Sequence, residues 1–207
     1  MNADWPLDDA AAYRHEVERR LGKALADQLA RVRLVVLDCD GVLTTGSLVY
    51  GPDGEALKVF DARDGLGLMM LRPAGIARAL LSGRSSLAAA RRCADLRFEA
   101  IKLGRFDKRE ALAEIWRETG CQAGETLYLG DDLLDLPALA EAAVAVTVPA
   151  APAEVAGVCD FVTLAAGGAG AVREVCDLLL KARGAFGPAI RELAAGRRPA
   201  DDPEVTH

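Results

Sequence analysis

Short, largely apolar runs alternate along most of the chain with longer stretches of helical periodicity. Runs of the first kind occupy 34–37, 77–81, 100–103, 126–129, 144–148 and 161–163. They suit strands buried on both faces, whereas apolar residues recurring every three or four positions suit amphipathic helices. Helices are predicted in this way at 64–71, 85–96, 107–118, 133–142 and 172–182. One pair of runs breaks the alternation: 48–50 and 57–60 flank Gly51-Pro52-Asp53-Gly54, which signals a hairpin. Strands separated by helices imply an α/β fold, a Rossmann-like doubly wound parallel sheet. Ligands of such sheets lie beyond the carboxyl ends of the strands.

Ahead of this pattern, Val17, Leu21, Leu25 and Leu29 recur at helical spacing with Arg and Glu between them. They predict one amphipathic helix over 8–32, either an added layer or an oligomer contact. Three regions follow: a helical extension over 1–31, a main domain over 32–184 with a hairpin insert at about 46–61, and a tail over 185–207. The tail is rich in Gly, Pro and charge, so it is expected to be flexible apart from one weak helical turn at 190–194.

With 207 residues, 51% of them hydrophobic, the chain can bury the core of one domain. Its net charge of −6, with both signs mixed along the sequence, provides no basic face for nucleic acid or a membrane surface. No apolar run approaches the ~20 residues that span a bilayer, and the acidic start lacks a signal-peptide pattern. A cytoplasmic protein is expected, with its five cysteines reduced. Both histidines, His15 and His207, lie in terminal segments, and no Gly-x4-Gly-Lys-Ser/Thr loop occurs. Chemistry based on a histidine base, a His-ligated zinc or a nucleotide triphosphate loop therefore has little support. Carboxylates, hydroxyls and lysine remain.

Those groups cluster where the apolar runs end. Asp38-Cys39-Asp40-Gly41 closes the first run with two carboxylates that an extended chain points to the same side. Taken alone, the motif is equally an acidic turn. Ser82-Gly83-Arg84 puts a hydroxyl and a glycine ahead of a helix, suited to phosphate oxygens or to ordinary capping by Ser82 or Ser85. Lys108 begins a helix, where a cation opposes the helix dipole and invites an anionic partner; otherwise it is a solvated surface residue. Gly130-Asp131-Asp132-Leu133-Leu134-Asp135 gathers three carboxylates. Such a group is either a helix cap or a site for a hard cation such as magnesium.

In this order the four motifs resemble the haloacid dehalogenase-like superfamily of phosphohydrolases. More narrowly, the hairpin segment 54–60, Arg63-Asp64-Gly65, Ser82-Gly83-Arg84 and the glycine-rich 167–175 are similar to its phosphatases for 3-deoxy-D-manno-octulosonate 8-phosphate. The resemblance spans roughly 34–183. It implies Mg2+-dependent hydrolysis of the sugar-acid phosphate through an aspartyl-phosphate intermediate. Asp38 would be the nucleophile and Asp40 the acid/base. Magnesium would be held by Asp38, the backbone carbonyl of Asp40 and Asp131, with Asp132 and Asp135 orienting the ligands or Lys108. Ser82, the Gly83 N–H and Lys108 would hold the phosphoryl group, and Lys58, Arg63 and Arg84 would contact the sugar acid.

About forty residues separate the first two motifs, too few for a separate cap domain. By resemblance, the chain would be a homotetramer whose neighbouring copies help to close each site, and it would serve lipopolysaccharide synthesis. Two other functions fit the sequence. One is a phosphatase for a nine-carbon, sialic-acid-type 9-phosphate. The other is a non-catalytic partner of a sugar nucleotide synthase.

Overall fold

Six parallel strands and a separate antiparallel hairpin form the β structure of a computed structural model that describes residues 9–197 and 199. In chain order the strands are β1 (Leu34–Leu37), the hairpin β2 (Val49–Gly51) and β3 (Gly54–Leu57), β4 (Ala77–Leu81), β5 (Ala100–Lys102), β6 (Thr126–Leu129), β7 (Val144–Thr147) and β8 (Phe161–Val162). The sheet order is β5-β4-β1-β6-β7-β8. The chain builds outward from β1 to β5, then returns to the other side of β1 with β6. That reversal opens a crevice between β1 and β6, where ligands of doubly wound sheets bind. Asp38 follows β1 and Asp131 lies just beyond β6, one on each side of it.

Nine helices are described: α1 (Ala10–Leu21), α2 (Lys23–Arg31), α3 (Ala62–Leu71), α4 (Leu87–Asp95), α5 (Lys108–Thr119), α6 (Leu136–Leu139), α7 (Ala153–Ala156), α8 (Ala171–Ala182) and α9 (Phe186–Ala194). The pleat of β1 divides them into two layers. Leu34 and Val36 face a core shared with Ala111, Leu112 and Ile115 of α5, Ala138 of α6 and Val155 of α7. Val35 and Leu37 face the opposite core, which takes in α1 to α4, α8 and α9. Among the described residues, no helix is long and apolar enough to cross a membrane.

Several predicted elements differ in detail. The single N-terminal helix is two helices, broken at Gly22, whose φ of 83° lies outside the helical range. Both pack on α8, and Val17, Ala26 and Leu29 are fully buried in the β1 core, so this is a layer of the fold. The second hairpin strand lies at Gly54–Leu57 rather than 57–60, because Gly51 pairs directly with Gly54 across a two-residue turn. Residues 133–142 hold only the short α6. Ahead of it, the Asp135 side chain folds back onto the Asp132 N–H and winds 133–135 into a tight turn. The tail expected to be flexible after Gly184 continues as α9, since Phe186 is buried edge-on against Tyr13 with ring centroids 5.0 Å apart. Residues 198 and 200–207 of that tail lie outside the described residues.

Burial of Leu29 makes the N-terminal layer part of the cooperative unit. Leu29→Ala is therefore expected to lower the unfolding free energy by about 2–5 kcal/mol in urea titrations. A loss below about 1 kcal/mol would mean that the layer is an appendage.

Candidate active site

The sheet ladder carries the first motif into place. The Asp38 N–H donates to the Leu129 carbonyl at 2.9 Å, extending the β1-β6 pairing by one residue. The chain then makes a wide turn, closed where the Thr44 N–H donates to the Cys39 carbonyl at 3.1 Å. At its centre, Gly41 has a φ of 93°, and a Cβ there would sit 1.9 Å from Asp131 Oδ2. Only glycine lets the Asp38-Asp40 turn come this close to the fourth motif.

Between the two motifs lies Lys108, 2% exposed at the first position of α5. Asp107 caps that helix by accepting from the Glu110 N–H at 3.0 Å, which leaves the Lys108 side chain free to reach inward. Its Nζ donates to Asp38 Oδ1 at 2.6 Å and to Asp135 Oδ1. Lys108 is therefore no solvated surface residue, and it has two anionic partners. Asp135 also accepts from the Tyr128 hydroxyl at 2.6 Å and from the N–H groups of Asp131 and Asp132 at 3.0 and 3.1 Å. Four donors thus fix this one carboxylate. Tyr128 escaped the sequence reading; its only signal was a phenol inside an aliphatic strand.

Carboxylate oxygens of Asp38, Asp131 and Asp135 lie within 4.8 Å of one another. Burial raises Asp38 to about 6, with Lys108 opposing and Asp135 adding to the rise. Burial, followed by repulsion from Asp38 and Asp135, raises Asp131 to about 7. Burial depresses Lys108, but the attraction of Asp38 and Asp135 more than offsets it. One lysine does not neutralise three carboxylates, so the cluster favours a further cation.

Asp135 is saturated by its donors, whereas no described residue donates a hydrogen bond to the Asp131 carboxylate. Asp38 and Asp131 are thus the oxygens open to a hard divalent ion, with Asp135 holding them and Lys108 in place. Asp132 is exposed; its carboxylate accepts from the Leu133 N–H at 2.7 Å, it forms a reciprocal capping box with Asp135, and its charge helps to raise Asp131.

Ser82 is buried just beyond β4, where its N–H donates to the Lys102 carbonyl at 2.9 Å. Its hydroxyl accepts from the Arg84 N–H at 3.2 Å. Contrary to expectation, these residues do not sit on a helix's first turn. α4 begins at Leu87, and its cap is Ser86, not Ser82 or Ser85. Any phosphate contact here comes from a loop, which presses Gly83 against Leu134 of the fourth motif.

The hairpin closes the other side. Lys58, its side chain 2% exposed, pairs with Asp40 Oδ1 and with Glu55 Oε2, the latter at 3.2 Å. Glu55 accepts from the Ser86 hydroxyl at 2.6 Å, and Arg84 donates to the Tyr50 hydroxyl at 2.8 Å. Arg84 Nε lies 3.6 Å from Asp40 Oδ2, a buried oxygen with no hydrogen-bond donor. Lys58 and Arg84 thus flank Asp40, and they bring in Tyr50 and Glu55, which the sequence motifs did not single out. Arg63 is placed apart from this group: its guanidinium pairs with Asp61 at 2.6 Å and donates to the Ala169 carbonyl at 2.8 Å.

No family model matches the chain. It is similar to the 3-deoxy-D-manno-octulosonate 8-phosphate phosphatase KdsC of Haemophilus influenzae, 42% identical over 160 residues that cover 77% of this chain and 89% of the relative. The enzyme of the same name from Escherichia coli K12 is 38% identical over 166 residues, 79% of this chain and 88% of the relative. Among solved structures, that phosphatase from Moraxella catarrhalis, in complex with magnesium, phosphate and KDO, superposes with a TM-score of 0.79 at 37% identity. The match covers 82% of this chain and 98% of that one.

The raised carboxyl groups set a testable pH dependence. In the folded chain Asp38 and Asp131 rise from 3.8 to about 6 and about 7. Deprotonating them across that window costs stability, and the cost is complete above it. Magnesium binds the deprotonated carboxylates, so its stabilising effect should grow with pH. Thermal melts with and without magnesium are expected to show a larger increment in Tm at pH 8 than at pH 5. Equal increments would show that these carboxyls are not the ligands.

Proposed function

Since the chain belongs to the 3-deoxy-D-manno-octulosonate 8-phosphate phosphatase family of the haloacid dehalogenase-like superfamily, we propose that it hydrolyses the 8-phosphate of that eight-carbon keto sugar acid to the free acid and phosphate. The observation that carries this reading is the buried Asp38-Lys108-Asp135 chain, with Asp40 two residues beyond Asp38.

Lys108 holds Asp38 Oδ1, which fixes the carboxylate and leaves its other oxygen to attack phosphorus in line. The new P–O bond forms as the bond to the sugar oxygen breaks, and Asp40 gives that oxygen a proton. Asp40 then takes a proton from water, which attacks the aspartyl phosphate and restores Asp38. The Ser82 hydroxyl, the Gly83 N–H and the Lys108 ammonium carry the negative charge of the transferring group. Asp38, Asp131 and the Asp40 carbonyl would hold magnesium, which when bound neutralises the phosphoryl oxygens.

Lys58 and Arg84 flank Asp40, which in this reading protonates the leaving group. Two cations there suit a sugar acid, whose carboxylate would compete with Asp40 and Glu55 for them. Arg63 belongs to the same reading only as a more distant contact.

The phosphatase unit spans 32–184, overlaid by the helical layer of α1 and α2, the described part of the extension over 1–31. Among the described residues it carries no cap domain of its own, and the hairpin exposes Leu48, Val49, Tyr50, Leu57 and Val59. Such a strip is suited to burial between copies of the chain. The proposed assembly is a cytoplasmic homotetramer in which hairpins from neighbouring copies close each site, supplying free sugar acid to lipopolysaccharide synthesis.

Two experiments test this reading. Asp38→Asn is expected to lower kcat about a thousandfold or more with far-ultraviolet circular dichroism unchanged; a rate near wild type would remove Asp38 as nucleophile. Across a panel of sugar-acid phosphates with magnesium, the eight-carbon 8-phosphate should have the highest kcat/KM. A clear preference for a nine-carbon 9-phosphate would reassign the substrate.

A further inference from the structure

Asp64 takes no part in the chemistry described above, yet it is 1% exposed and lies within the Arg63-Asp64-Gly65 motif. It sits in the first turn of α3, facing the start of α8. The residue before α8 is Gly170, whose φ of 108° favours glycine. Glycine has no side chain with which to cap the helix. Asp64 supplies that cap from another element: its Oδ1 accepts from the Arg173 N–H at 2.7 Å, and the neighbouring Gly170 N–H favours the charged form of its carboxyl. An anion placed there also meets the positive end of the α8 dipole. Beside it, the Arg63 guanidinium donates to the Ala169 carbonyl at 2.8 Å.

The segment fixed in this way leads directly to the catalytic turn. At its far end, Glu174 accepts from the N–H groups of Leu164 and Ala165 at 2.9 and 2.8 Å. Between these anchors, the Gly168 N–H donates to the Val42 carbonyl at 2.9 Å, and a Cβ at Gly167 would lie 1.6 Å from the Gly41 carbonyl. The glycine loop therefore rests on the backbone of Gly41 and Val42, immediately after Asp40.

We infer that Asp64 is a positioning residue of this phosphatase: by capping α8 from α3 it holds the 167–170 loop against the turn that carries Asp38 and Asp40. The accepting oxygen, rather than the charge, carries this role. Its Oδ2 is buried without a hydrogen-bond donor, and burial raises the group to about 6. An amide in its place would keep the accepting oxygen without burying a charge. The inference rests on the phosphatase reading for its kinetic consequence, but not for its structural one.

The test compares wild type, Asp64→Ala and Asp64→Asn by kinetics on p-nitrophenyl phosphate with magnesium and by amide hydrogen exchange. Asp64→Ala is expected to lower kcat by about tenfold or more with KM within about threefold, because it loosens groups that must be aligned for attack. Exchange should quicken in 167–173 and in 41–44 while the strands of the sheet stay protected. Asp64→Asn, which keeps the accepting oxygen, should restore kcat to within about threefold of wild type. Should Asp64→Ala fail to fold, Asp64→Ser replaces it, its hydroxyl being too short to reach the Arg173 N–H. An unchanged kcat in the alanine or serine variant, exchange that quickens at 167–173 but not at 41–44, or an equal loss in Asp64→Asn would each overturn the inference. A wild type inactive on every phosphate tried would count against the phosphatase reading instead, and exchange alone would then decide the role of Asp64.

Discussion

Everything at the carboxyl edge of the sheet is organised around a lysine that cannot reach water. A buried ammonium is tolerated only when it is paired and hydrogen-bonded. Lys108 satisfies that condition through Asp38 and Asp135, which arrive from opposite sides of the crevice between β1 and β6. The pairing in turn creates an imbalance. Asp131 is drawn within a few ångströms of both carboxylates, among the described residues no hydrogen bond reaches its own carboxylate, and its carboxyl is raised further than that of Asp38. The lysine thus fixes Asp38, the proposed nucleophile, and leaves a negative site beside it that a divalent cation can fill.

Asp135 is the residue through which this arrangement is transmitted. Its two oxygens accept from a side chain on α5, a phenol on β6 and two backbone N–H groups of its own loop. Those last two contacts wind 133–135 into the tight turn that displaces the predicted helix. A local departure from helical propensity is therefore the consequence of a long-range electrostatic arrangement, and the one could not be foreseen without the other.

The sheet, its parallel strands and the position of the site beyond β1 and β6 were legible because buried strands leave continuous apolar runs and carboxylates at their ends. Pairing was less legible. Nothing in Glu55 or Tyr50 distinguishes them from ordinary hairpin residues until the fold brings Ser86 and Arg84 to them. The break at Gly22 and the helix α9 were misread for a related reason. Both depend on what the segment packs against: α8 for the N-terminal layer, and Tyr13 for Phe186. Lys108 shows the limit from the other direction, since its dipole-opposing place hinted at a partner but could not say that there were two.

The hairpin joins the two parts of the proposed function. Lys58 turns inward onto Asp40, while its neighbours Leu57 and Val59 are 61% and 73% exposed, the alternation expected of an extended chain. One short segment therefore presents a cation to Asp40, the proposed acid/base, and an apolar strip to the outside. Because Lys58 has neighbours on both sides that gain from burial, docking of another copy would hold its backbone, and with it the position of the cation beside Asp40. A separate cap domain would orient such groups through its own core. In the proposed assembly that rigidity would come from contacts made across the exposed strip, so assembly and leaving-group chemistry would act on the same three residues.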